Sequence, residues 1–96
     1  MSNSTARVAT ALPRRYMGQL CKHFEHKLAV QLEEEAGRIE FPMGVCLLRA
    51  EPETLVMRAE AADAEALAKL EDVVARHLVR FMFREPVTVD WVREAG

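Results

Sequence analysis

The chain reads as an α+β domain: a two-layer sandwich with two helices on one face of a largely antiparallel sheet, in the order β-α-β-β-β-β-α-β. Three observations predict this. Apolar residues recur at helical spacing in two separate segments, one near each end of the chain. Between them they alternate with polar residues through four short runs separated by turn residues, as in a hairpin meander. The 96 residues suffice for one core and not for two, so residues 1–96 form a single domain.

The first element is "TARVAT", whose alternation of apolar and polar residues predicts a short strand. Pro13 suits the first turn of a helix, and in "PRRYMGQLCKHFEHKL" the residues Met17, Leu20, Cys21, Phe24 and Leu28 share one helical face. From residue 29 the period changes to two. Val30 and Leu32 point one way, "EEAGR" turns the chain with Gly37 available for a positive φ, and Ile39 and Phe41 resume the apolar side.

After Pro42 and Gly44, "VCLLRA" offers Cys46, Leu48 and Ala50 inward; after "EPET", "TLVMRAEA" offers Leu55, Met57 and Ala59. Asp63 is placed to cap a second helix, where Leu67, Leu70, Val74, Leu78 and Phe81 form the apolar stripe. On its polar side Glu65 with Lys69, and Asp72 with Arg76, stand four residues apart as ion pairs do. Pro86 is read as the stop, and "VTVDWV" as a closing strand with Val87, Val89 and Trp91 on one side. The outward sheet face then carries Arg38, Glu40, Arg49, Arg58 and Glu60 together with the apolar Val45, Leu47 and Val56. A homodimer through the sheet is one expectation from those three.

Charge and composition narrow the function. The formal net charge of -2 conceals a basic start, where residues 1–27 carry five bases against Glu25 alone, and an acidic middle, where residues 28–72 carry eleven acids against four bases. This distribution argues against a nucleic-acid partner and leaves one basic surface. No apolar run is long enough to span a membrane and the N-terminus lacks the apolar stretch of a signal peptide, so a cytoplasmic protein without a membrane partner is expected. Two cysteines do not make a disulfide scaffold and are read as thiols in a reducing compartment.

The stretch "LCKHFEHK" gathers Cys21, Lys22, His23, His26 and Lys27. With about 100° of rotation per residue, Cys21 lies about 160° from His23 and about 140° from His26, which excludes a three-ligand Cys/His/His shell on one continuous helix. His23 and His26, about 60° apart, are weak metal candidates that need a further ligand, His77 or a carboxylate, from another element. Cys21 and Cys46 both belong to the apolar side; they are small hydrophobes first and a redox pair second. His77, at the margin of the second helix's stripe, suits a bond to a backbone carbonyl or carboxylate.

The outward side of the first helix aligns Arg15, Gln19, Lys22 and His26 with no acid among them. Such a stripe fits an anionic ligand or an acidic protein surface. The sequence has no Gly-rich phosphate loop, no G-x-S-x-G and no H-E-x-x-H, so no cofactor is indicated and the reading leans away from an enzyme.

The blocks "STARVAT", "QLCKHFEHK", "GRIEFPMGVCLLRA", "EAADAEALAKLEDVVARHL" and "RFMFREPVTVDW", in that order, resemble the bacterial family known as domain of unknown function 2218 over about residues 4 to 91. The family's Cys-Lys-His and His-Lys pattern is matched by Cys21, Lys22, His23, His26 and Lys27, with Cys46 after a glycine. Its Arg-Phe-x-Phe-Arg-Glu block is matched by Arg80, Phe81, Phe83, Arg84 and Glu85, following His77 and Leu78.

The resemblance implies a small cytoplasmic bacterial protein with no assigned activity. It also implies a link to iron or siderophore utilisation, since the domain occurs joined to siderophore-interacting flavin reductases. The expected function is therefore a non-enzymatic binding or accessory domain. Arg15, Lys22, His23, His26, His77 and Arg84 are its candidate ligand-binding residues, and a ferric siderophore or a siderophore-interacting reductase its candidate partner. The alternatives are a thiol redox or metal-dependent protein using Cys21, Cys46, His23 or His26, and a structural homodimer.

Overall fold

A computed structural model describes residues 1–94, and its elements follow the expected order. They are β1 (Ser2–Ala9), α1 (Pro13–Phe24), β2 (Ala29–Leu32), β3 (Ala36–Phe41), β4 (Gly44–Glu51), β5 (Thr54–Ala61), α2 (Ala64–Phe81) and β6 (Val92–Arg93). All pairings are antiparallel and the strands lie in the order β2-β3-β4-β5-β1-β6. The four central hairpin strands form the meander that alternation predicts. β1 then closes onto β5 along its full length, from Ser2 opposite Ala61 to Ala9 opposite Thr54, and therefore begins earlier than "TARVAT" suggests.

Both helices cover one sheet face. Met17, Leu20 and Cys21 of α1 and Leu67, Leu70, Val74 and Leu78 of α2 are buried against Ile39, Cys46, Leu48, Leu55, Met57 and Ala59. Each of the larger side chains contributes roughly 1.5–3 kcal/mol of transfer free energy. Asp63 caps α2 by accepting from the backbone N–H of Ala66 at 2.8 Å, and the ion pairs Glu65–Lys69 and Asp72–Arg76 form at 4.0 and 2.9 Å. Among the described residues no helix is long and apolar enough to cross a membrane.

Four local expectations are corrected. α1 stops at Phe24 rather than running to Leu28, because the Lys27 and Leu28 N–H groups both donate to the Phe24 carbonyl, at 3.1 and 2.9 Å. The chain turns there so that Ala29 can open β2 opposite Glu40. In the closing segment Val87, Val89 and Trp91 do pack on the core, but only Val92 and Arg93 pair with β1, opposite Thr5 and Ser4. Helix α2 ends at Phe81, before Pro86, with the Met82 N–H still bonded to the Leu78 carbonyl at 2.9 Å; Met82 itself is fully buried.

Gly37 is the fourth correction. It lies inside β3 opposite Leu48, without a positive φ, and a Cβ there would stand 2.9 Å from the Cys21 sulfur. Its role is to let α1 approach the sheet. Gly44 serves α2 similarly, since a Cβ would collide with the Glu60 carbonyl and press on Leu70. Among the described residues, the one positive φ outside glycine belongs to Glu53, at 55°, following Pro52 in the β4–β5 turn, the residue order of a type II turn.

The two glycines predict different responses to alanine. Gly37→Ala is expected to lower stability by about 1–3 kcal/mol in urea unfolding followed by tryptophan fluorescence. Combined with Cys21→Ala, the loss is expected to be at least about 0.5 kcal/mol smaller than the sum of the single changes, because the obstructing atom is a side chain. No side-chain truncation is expected to rescue Gly44→Ala fully, since there the obstruction includes backbone.

Candidate functional site

The outward surface of the helix layer is built from α1, the last turns of α2 and the chain that leaves it. Arg15, Gln19 and Lys22 are exposed along α1 as their spacing requires. His26 does not continue their stripe. It lies past the end of α1, in the turn formed by residues 25–27, so the helical phase that relates it to Lys22 and His23 no longer applies.

His23 instead meets His77 across the two helices, with ring centroids 5.0 Å apart and ring planes inclined by 42°. Phe81 lies edge-on to His23 at 5.4 Å, and Phe24 contacts both imidazoles at 4.9 Å while resting on Phe41 at 4.9 Å. The Nδ1–H of His77 donates to the Val73 carbonyl at 2.6 Å, which leaves Nε2 as the free ring nitrogen. Burial lowers the pKa of His23 from its ordinary value, and the charges of His77, Arg80, His26 and Lys27 lower it further. The pair is therefore neutral at His23 near pH 7 and sits among cations.

Arg84 belongs to a second cluster. The Thr10 hydroxyl is 3.2 Å from both oxygens of the Glu85 carboxylate, to which it donates, and it accepts from the Leu12 N–H at 3.0 Å. Burial raises the pKa of the buried Tyr16, as does the neighbouring Glu85 carboxylate, while Arg15 and Arg84 oppose that shift. Arg84 also lies over the exposed Phe83 ring at 5.5 Å. Arg15 continues from this cluster into an open groove of about 700 Å³ between the start of α1 and the β4–β5 turn, lined also by Leu12, Arg14, Glu35, Pro52 and Glu53.

Ion pairing separates the cations into two groups. Arg7, Arg14, Arg58, Lys69, Arg76 and Arg93 each have a carboxylate within 4.0 Å. Among the described residues, Arg15, Lys22, Lys27, Arg80 and Arg84 have none on the helix-layer side, and Arg38 and Arg49 have none on the sheet. Arg80 is a member that sequence reasoning missed. It follows His77 by three residues, the spacing of neighbours on one helix face, and this was the signal available.

The thiols take no part in this surface. Cys21 and Cys46 are free and fully buried, Cys21 with its pKa pushed up to about 11 and Cys46 further still, both by burial. Burial thus disfavours the thiolate form of both. His23 and His77 are adjacent as rings, with centroids 5.0 Å apart. Among the described residues no group of three or more His, Cys, Asp or Glu side chains is arranged to hold a metal ion.

A family model described as "Uncharacterized protein conserved in bacteria (DUF2218)" matches residues 5–92. The chain belongs to the DUF2218 family. The fold of this DUF2218 domain is similar to that in the NMR structure of PA4090 from Pseudomonas aeruginosa, with a TM-score of 0.81 and 38% identity over 96% of each chain. No curated protein matches it.

Two outcomes follow from the site. Both thiols are expected to resist a thiol-specific chromogenic reagent at pH 8 in the native protein and to react together on unfolding. In NMR titration His23 is expected to lose its proton below pH 6.5, and His77→Gln to raise its pKa by removing one opposing charge. In the wild type the unfolded chain takes up the His23 proton first. This group's contribution to stability is thus full above about pH 6.5 and declines as pH falls from there to the lower folded value.

Proposed function

We propose that this DUF2218 domain is a non-enzymatic binding domain that receives an anionic partner on its helix layer. The observation that carries the reading is the set of cations Arg15, Lys22, Lys27, Arg80 and Arg84, which have no carboxylate within 4.0 Å among the described residues although most other cations do. Unpaired guanidinium and ammonium groups keep their full capacity for charge-assisted bonds to oxyanions. The candidate residues His23, His26 and His77 add ring nitrogens to the same side.

The partner implied by the family resemblance is a ferric siderophore or an acidic surface of a siderophore-interacting reductase, in the bacterial cytoplasm. Both supply anionic oxygens, and two free cysteines suit a reducing compartment. The burial of Cys21 and Cys46 weighs against the thiol redox alternative.

The test is titration of a ferric tris-catecholate complex, with an uncharged ferric hydroxamate as control, into the wild type and Arg15→Glu/Lys22→Glu. The expected result is binding of the anionic chelate alone, weakened at least about tenfold by the charge reversals and by raising salt well above physiological strength. Equal binding by both proteins would remove the stripe from the mechanism.

A further inference from the structure

Among the described residues no helix covers the sheet face opposite α1 and α2, and the side chains in its middle rows are sorted by charge. The ladders place Ala29, Glu40, Val45, Glu60 and Asn3 in one row across the strands. The next row holds Gln31, Arg38, Leu47, Arg58, Thr5 and Val92, and the third holds Ala36, Arg49, Val56 and Arg7. The first row thus carries carboxylates and no base, the second and third carry arginines and no acid, and beyond them Glu51, opposite Thr54, pairs with Arg7. Val45, Leu47 and Val56 form an apolar strip through the middle. All three are only half-buried, and Val92 is 70% exposed.

We propose that this face is the contact surface of a homodimer, with two copies packed sheet to sheet about a two-fold axis that runs across the strands. The charge sorting selects both the occupant and the axis. An isologous interface must be complementary to itself, which requires opposite charges on opposite sides of the axis.

With the axis along the Leu47 row, each strand lies over its own copy in the opposite direction, and the carboxylate row of one protomer covers the third row of the other. Glu40 then stands over the partner's Ala36, one strand spacing from the partner's Arg49, within reach of both long side chains. A two-fold axis along the strands would instead lay carboxylates on carboxylates. Leu47 meets Leu47 at the centre. Arg58 brings little free charge there because it is already paired with Glu60 and Glu94. Arg38 meets its own copy but lies near the β2 edge, where a flexible arm turns into water.

Arg38 and Arg49, which have no carboxylate within 4.0 Å among the described residues, both belong to this face, and the second copy supplies what Arg49 lacks. The area is modest. Six strands of 8, 4, 6, 8, 8 and 2 residues, at about 3.3 Å per residue and about 4.8 Å between strands, cover about 570 Å² per protomer, or about 1,100 Å² in all, just below the standard range of specific interfaces. A micromolar, concentration-dependent dimer is the corresponding expectation.

Sedimentation velocity on the full chain from about 5 to about 500 µM tests this, because that range brackets a micromolar equilibrium. Wild type is expected to shift from monomer to dimer across it. Leu47→Glu is expected to weaken association at least about tenfold by placing a charge at the desolvated centre. Arg49→Glu and Glu40→Arg are each expected to weaken association, and their equimolar mixture to restore it, since only the mixed pair sets opposite charges face to face. Circular dichroism confirms that each variant is folded.

A wild type that stays monomeric at the highest concentration overturns the proposal. So does a dimer that Leu47→Glu leaves intact. Arg49→Glu and Glu40→Arg that fail to complement one another overturn the orientation of the axis.

Discussion

The depth at which α1 sits on the sheet governs the rest of the molecule. That depth is set where the Cys21 sulfur comes down over Gly37, a position in β3 with no room for even a methyl group. A helix raised by the width of a methyl would lift Met17 and Leu20 from the apolar surface that stabilises the fold. It would also change the height of α1 relative to α2, so that His23 no longer met His77 and Tyr16 no longer met Glu85. Gly44 in β4 admits Leu70 of α2 in the same way, and also the Glu60 carbonyl of the neighbouring β5. The two helices therefore hold the candidate site's side chains at heights set where Cys21 and Leu70 pack over these two glycines.

The distribution of ion pairs has a corresponding logic. Arg14 ties α1 to Glu34 and Glu35 in the β2–β3 loop, and Arg93 ties the closing strand to Glu71 of α2. These contacts join elements distant in sequence, though as exposed or partly exposed pairs each is worth about a kcal/mol or less. The cations without such partners gather on two opposite surfaces, the helix layer and the sheet face opposite it. An anionic partner on one and a second copy on the other do not compete for space. A dimer of the proposed kind would present two copies of the helix surface, facing away from each other.

Much of this arrangement was legible in one dimension. Leu67, Leu70, Val74 and Leu78 had to share a face because a helix turns by about 100° per residue, and Cys46 and Leu48 had to point inward because a strand alternates. Asp63 announced its cap through a side chain that reaches only three residues along. Where interactions reach further the reading failed. Nothing local distinguishes a Gly37 that turns the chain from one that admits a sulfur atom. The apolar Leu28 continues the helical pattern even though the chain has already reversed after Phe24 to reach the sheet edge. "VTVDWV" alternates like a strand and packs like one, yet its backbone comes alongside β1 only at Val92.

The segment "LCKHFEHK" shows the division most clearly. Sequence alone determined that Leu20 and Cys21 belong to the core and Lys22 to the outside, because those assignments depend only on helical phase over a few residues. The tertiary structure decided that His23 has His77 as its partner, that His26 leaves the stripe, and that Arg80 joins the unpaired cations. The reason is physical: an ion pair or a ring contact depends on the separation of two elements in space, and that separation is set by packing at Gly37 and Gly44, far from the residues whose chemistry it controls.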